Sequence, residues 1–308
     1  MTEAFRMCTT RMNIVFASDR GYVEHLAVAM LSLFENNQDL PIDVYVINKD
    51  IDQDTWCDLE MIARQFGNNM IDVKISDRDL DGIILPPHLT RATYYRLFIP
   101  DRINVSKALY LDADIAVNGS ISGLYNINVD DYYLAAANFP GFVGHKDLKM
   151  SEGSRYFNAG VMLINVARWR QEHLKDRVID IVRKKPWAIQ FDDQCGLNSV
   201  VDGRWKEVHP KFNFQSFFFG AGIEAYSAFY PNGELTAASH SPVILHYTGA
   251  SKPWHFGYKH PYRSLYWKYL RKTPFNHLFS KDLTITKLMK YCVPRVIKRH
   301  VKRVLQHG

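Results

Sequence analysis

The sequence predicts an α/β fold built on a parallel sheet, and three observations carry that reading. Short apolar runs alternate with segments of helical period through the first third of the chain, the order expected of strands crossed by helices. Of the 308 residues, 47% are hydrophobic, enough for one large core or two smaller ones. The four cysteines, Cys8, Cys57, Cys195 and Cys292, are far apart and form no CxxC pair. That speaks against a disulfide framework or a structural zinc site and fits a reducing compartment.

In chain order, 13–17 (NIVFA) reads as a buried strand and SDRGY as the loop after it. Leu26, Ala29, Met30, Leu33 and Phe34 then recur at helical spacing. A strand at 42–48 (IDVYVIN), a helix at 52–66 and a strand at 70–76 (MIDVKIS) follow. Residues 91–99 read as helical, and KALYLDAD as a fourth strand. Further strands are expected at 132–139, 156–166 and 242–249, with a helix over 168–184 and another opening at DDQCGLNSVV. Met7 and Met12 are alternative starts, because the first strand begins only at Asn13.

The net charge of +6 is unevenly spread. Residues 241–308 hold 14 Lys and Arg against one acid, Asp282, while residues 1–240 hold 24 bases against 31 acids. Basicity therefore belongs to the tail. No apolar run approaches the roughly 20 residues of a membrane-spanning helix. The opening MTEAFRMCTTRMN has no apolar core, so no secretory signal is expected.

Five stretches carry chemistry. In ALYLDADIAV, Asp112 and Asp114 share a face if the strand stays extended through both. Paired carboxylates at a strand end suit a hard divalent cation; a solvated strand-end turn is the plain alternative. A rival is the haloacid-dehalogenase phosphatase, whose DxD supplies an aspartate nucleophile. That motif belongs on a first strand, whereas three strands are expected before this one. In HYTGASKPWH, His246 is a possible metal ligand, Gly249 permits close backbone approach, and Lys252 offers a charge to a phosphate; an ordinary Gly/Pro turn explains it as well. Asn158 sits inside an apolar strand, where an amide needs partners or a ligand. In FDDQCGLN, helix capping accounts for one of Asp192 and Asp193 and leaves the other over. Arg96, in TYYRLFIP, either snorkels to solvent or points at an anion.

VFASDRGY, TYYRLFIP, ALYLDADIAV, YFNAGVMLIN, DDQCGLN and HYTGASKPWH, in this order over 12–255, resemble glycosyltransferase family 8. Within it the chain is most similar to bacterial enzymes that add galactose or glucose to lipopolysaccharide or lipooligosaccharide cores. The resemblance implies a GT-A type fold, a Rossmann-like mixed sheet flanked by helices. It implies UDP-glucose or UDP-galactose as donor, a divalent metal and transfer with retention of configuration. It places the metal on Asp112, Asp114 and His246, a set whose one nitrogen favours Mn²⁺ slightly over Mg²⁺. It places the donor against Ala17, Asp19, Tyr22, Arg96, Asp112, Ala113, Gly249 and Lys252, with Asp19 accepting from the base. Asn158, Asp193 and Gln194 fall at the sugar and the reacting face, as the catalytic set. Three positions depart from the family pattern: Gly21 for Asn, Asn138 for Asp near the sugars, and Cys195 where many members have another Asp.

Residues 254–270 mix aromatics with bases, and Val293, Val296, Ile297, Val301, Val304 and Leu305 fall on one helical face beside Arg295, Lys298, Arg299, Lys302 and Arg303. A basic amphipathic helix flanked by Trp and Tyr reads as a membrane-surface element; a helix packed on the body with a solvated basic face is the alternative. Nucleic acid is disfavoured, because the body is acidic and no binding motif accompanies the patch. The expected organisation is a catalytic domain over 1–255 and a membrane-association tail over 256–308. The expected location is cytoplasmic, peripheral on the inner face of the membrane, near a lipid-linked saccharide acceptor. Besides transferase and phosphatase, a catalytically silent nucleotide-sugar-binding scaffold stays open.

Overall fold

In a computed structural model, which describes residues 11–81 and 91–292, the first four strands are β1 (Met12–Ala17), β2 (Ile42–Asn48), β3 (Asn69–Lys74) and β4 (Lys107–Leu111). Strands buried on both faces are continuous apolar runs, as in β1 and β4 at the centre of the main sheet, while β3 lies half-exposed at its edge. β5 (Ile115–Val117), β6 (Leu134–Asn138), β7 (Phe157–Asn165), β8 (Lys206–Glu207), β9 (Phe214–Gln215) and β10 (Ile244–His246) follow. The main sheet runs β3-β2-β1-β4-β7-β6-β8, and β5-β10-β9 form a small second sheet. β1 to β4 are mutually parallel, whereas β7 is antiparallel to β4 and to β6. The sheet is therefore mixed, as in GT-A folds.

Helix α1 (Val23–Glu35) is buried at every residue but its last. Helix α2 (Gln53–Arg64) starts where the Asp52 carboxylate accepts from Thr55 N at 2.9 Å, a side-chain cap. α1 is sealed by the helix Arg263–Leu270, whose Tyr266, Tyr269 and Leu270 belong to the core built on α1. Tyr266 Oη lies 2.7 Å from His25 Nδ1, and Trp254 stacks on His25 with ring centroids 3.5 Å apart. Beyond it, Leu278, Phe279, Ile285, Leu288, Met289 and Tyr291 are exposed. The amphipathic face expected over 293–305 lies outside the described residues.

Three expectations change. The expected helix over 168–184 is two helices, Val166–Gln171 and Leu174–Lys184, because His173 takes a left-handed φ of 48° that stops the first. Residues 91–98 are 3₁₀ turns, and one α turn, Ile99–Arg102, follows with Pro100 in its first turn. The fourth strand ends at Leu111 instead of running through Asp114, and 112–114 turn the chain from the main sheet into β5. Asp112 and Asp114 are brought together by that turn and not by strand alternation.

Candidate active site at the carboxyl ends of the central strands

Strand order reverses between β1 and β4, and the crevice beyond their carboxyl ends is where an open α/β sheet binds ligands. A cavity of about 320 Å³ opens there, and Ala17, Asp19, Tyr22, Arg96, Asp112 and Ala113 all line it. Asp19 Oδ1 is buried with no hydrogen-bond partner among the described residues, an acceptor awaiting an N–H or O–H.

Asp112, Asp114 and His246 each offer one ligand atom, all within 4.8 Å of one another. The register explains the meeting: β10 pairs antiparallel with β5, setting His246 opposite Ile115, next to the turn that carries both aspartates. His246 Nε2 lies 3.2 Å from Asp114 Oδ1 and 3.6 Å from Asp112 Oδ2. Two carboxylate oxygens and one imidazole nitrogen converging this way fit a divalent cation such as Mn²⁺ or Mg²⁺. Lys252 pairs with the other oxygen of Asp114 and donates to Tyr247 O at 2.7 Å. Burial opposes the charge on Asp114, but Lys252 and His246 outweigh it and hold its pKa far below the carboxylate range. Burial likewise opposes the charge on Lys252, and Asp114 more than compensates, raising its pKa.

Gly160 of β7 closes the floor. Its carbonyl accepts from Asp112 N at 2.8 Å, and a Cβ at this position would collide with the His246 ring and stand 2.7 Å from Asp112 Oδ2. Only glycine lets the strand pass so close.

Arg96 neither snorkels nor waits for an anion alone. It is buried between two carboxylates, Nη1 3.1 Å from Asp112 Oδ1 and Nε 2.9 Å from Asp193 Oδ2. Nη1 donates to Ala159 O at 2.8 Å and Nε to Thr93 O at 3.1 Å. The Nε–Asp193 contact is therefore charge against charge, and Asp193 Oδ2 stays a buried acceptor without a hydrogen bond. The guanidinium also lies 4.9 Å over the ring of Tyr110, whose hydroxyl donates to Asp112 Oδ1 at 2.7 Å.

Burial pushes the Asp193 pKa up to about 7, with Arg96 opposing. An acid whose pKa rises on folding binds its proton more tightly in the native state, so it loses stability as pH climbs from the unfolded value near 4 through 7. The thermal midpoint of the wild type is expected to fall relative to Asp193→Asn between about pH 4 and pH 7. Melting curves that change in parallel for the two proteins would count against a buried, ionising Asp193.

Gln194 Oε1 accepts from Ala159 N at 2.9 Å, which ties the start of its helix, Asp192–Val201, to β7. Asn158 Oδ1 accepts from Gly160 N at 3.0 Å and from Asn213 Nδ2 at 2.9 Å. Gly249, at φ 84°, lines a separate hollow with Ser216 and Phe217, while Lys252 of the same turn reaches Asp114. Cys195 is packed with Leu148 and Tyr156, and burial raises its thiol pKa. Asn138 is buried, and its carbonyl accepts from Gln215 and Tyr230. Tyr110, Gly160 and Asn213 were not singled out from sequence. Asn213, a polar residue among aromatics in KFNFQ, carried the same signal as Asn158.

The sequence model of the family described as glycosyl transferase family 8 matches residues 13–257. Glycosyltransferase GlyE of Streptococcus pneumoniae is 31% identical over 85% of this chain, which spans 62% of its length. Lipopolysaccharide 1,3-galactosyltransferase of Salmonella typhimurium is 27% identical over 87% of this chain and 80% of its own. Among solved structures, the galactosyltransferase LgtC in complex with donor and acceptor sugar analogs superposes with a TM-score of 0.77 at 25% identity, covering 86% of this chain and 98% of that one.

Proposed function

The chain belongs to glycosyltransferase family 8, and on that premise we propose that it moves a hexose, galactose or glucose, from a UDP-sugar to a saccharide acceptor with retention of configuration. The observation that carries this reading is the meeting of Asp112, Asp114 and His246 at the edge of a cavity holding an unpartnered Asp19 oxygen. A divalent cation on those three ligands, Mn²⁺ before Mg²⁺, supplies positive charge to the leaving diphosphate. Asp19 accepts from the base, Ala17 and Tyr22 wall it, and Ala113 lines the same cavity. Lys252 and Arg96 add charge where it develops, and Gly249 lets its turn approach the phosphates. Asn158 and Asp193 orient sugar hydroxyls. Gln194 lies at the reacting face; a neutral amide is a poor nucleophile, so it stabilises charge during front-side attack.

The test is a panel of UDP-sugars screened for Mn²⁺-dependent hydrolysis, which needs no acceptor. UDP-galactose or UDP-glucose is expected to be turned over, and Gln194→Ala to lower turnover while leaving UDP affinity in place. Phosphate release from an aryl phosphate would favour the phosphatase, whose DxD should follow a first strand and here follows the fourth. Tight UDP binding with no turnover would favour the silent scaffold.

A lipid-linked acceptor at the inner membrane face completes the proposal, with the part of 256–308 that follows the core helix Arg263–Leu270 as the associating segment. It is supported by the likeness to a lipopolysaccharide galactosyltransferase and by the exposed apolar side chains from Leu278 to Tyr291. Among the described residues, no helix is long and apolar enough to cross a membrane. Lys281 pairs with Glu24, and Asp282 accepts from Phe256 N at 2.8 Å, so truncation should spare them. A chain lacking 293–308 is expected to bind anionic vesicles more weakly, the exposed apolar residues from Leu278 to Tyr291 remaining, while hydrolysing UDP-sugar normally. Undiminished vesicle binding would refute the role of the tail.

A further inference from the structure

Asn213 is fully buried between His246 and Asn158, and a chain of forced choices fixes the direction of every hydrogen bond around it. The backbone N–H of Gly160 can only donate, so the Asn158 atom 3.0 Å from it is the carbonyl oxygen. That oxygen only accepts, so the Asn213 atom 2.9 Å away is the amide nitrogen. Asn213 therefore turns its own oxygen to His246 Nδ1 at 3.0 Å, and Nδ1 must carry the proton. In the neutral imidazole the lone pair is then on Nε2, the atom that faces Asp112 and Asp114. At the other end, Asn158 spends its oxygen on Gly160 and Asn213. Its Nδ2 has no partner among the described residues and is left to donate.

We propose that Asn213 is a positioning residue that sets the polarity of two separated parts of the site. It holds His246 in the tautomer that can ligate a cation through Nε2, and it turns Asn158 so that a ligand oxygen meets an N–H donor. The fixed point is a main-chain amide, so neither orientation depends on which ligand arrives. This rests on the metal-dependent reading proposed above and extends it to a residue that touches neither metal nor donor.

The direct test is ¹⁵N NMR of the histidines in the wild-type chain without metal, with the His246 signal identified by its loss in His246→Gln. A proton on Nδ1 is expected, with or without a second on Nε2 beside the carboxylates; a ring protonated at Nε2 alone overturns the proposal without any variant at Asn213. The second test is Mn²⁺ affinity in the presence of UDP, read by electron paramagnetic resonance of the free ion. Asn213→Leu is expected to bind Mn²⁺ about 10- to 100-fold more weakly, the usual effect of removing the partner that orients a metal-bound histidine. Asn213→Asp still accepts from Nδ1–H but cannot donate to Asn158. It is expected to keep Mn²⁺ affinity within about threefold while its KM for UDP-sugar rises. A folded Asn213→Leu chain that binds Mn²⁺ like the wild type overturns the part played by Asn213. A wild-type chain that holds no Mn²⁺ even with UDP overturns the metal site itself, which is a separate result.

Discussion

Asp112→Asn and Asp114→Asn are each expected to lower Mn²⁺-dependent UDP-sugar hydrolysis by about 10³-fold. Cation stabilisation of a leaving group is worth several kcal/mol, and each 1.4 kcal/mol is tenfold. The substitution preserves shape and removes charge, so the loss reports charge and not packing. The two should differ in their side effects. Asn at 112 keeps an oxygen for the Tyr110 hydroxyl but withdraws one of the two charges holding Arg96. Asn at 114 releases Lys252 from its carboxylate partner and leaves Arg96 untouched. Hydrolysis rates with and without chelator, beside melting temperatures, separate the two. Either variant turning over at the wild-type rate with Mn²⁺ would remove that carboxylate from the metal site.

Arg96→Met is expected to damage folding as well as turnover. It strands Asp193, which is almost wholly buried, beside Asp112 with no positive charge between them. Removing one partner of a buried ion pair costs about 3–5 kcal/mol. At roughly 2–4 °C per kcal/mol for a large domain, the melting point should fall by about 10 °C. Arg96→Lys keeps a charge but loses the fork that reaches Asp112, Ala159 and Thr93 at once, so rescue should be partial. Asp193→Asn in the Arg96→Met background removes the stranded charge and should recover part of the loss. If the two substitutions add without coupling in a double-mutant cycle, Arg96 and Asp193 do not form one unit.

Much of the sheet was legible because buried parallel strands spell themselves as apolar runs: 42–48 was delimited from sequence at both ends. The end of β4 was not. Nothing local marks Leu111 as the last strand residue; what ends the strand is the pairing of β5 with β10, which lies far downstream. The same holds for Arg96. Its neighbours gave its helical spacing, but its place between Asp112 and Asp193 depends on two distant segments. The metal triad was legible only through the order of motifs, since spacing alone left His246 open. Asn213 was passed over because its surroundings are two-residue strands and 3₁₀ turns, which have no period to read.

The stacking of Trp254 on His25 has a mechanical side. Trp254 stands two residues after Lys252, and His25 belongs to a helix buried along nearly its whole length. Trp267, from the helix that seals α1, adds a second fastening by donating from its indole to Pro253 O at 2.9 Å. The loop carrying the ammonium group is thus bolted from behind rather than hung from its two ends. The ammonium group is steadied twice, in front by Asp114 and the Tyr247 carbonyl and behind by a ring that also packs against Tyr22 of the cavity wall.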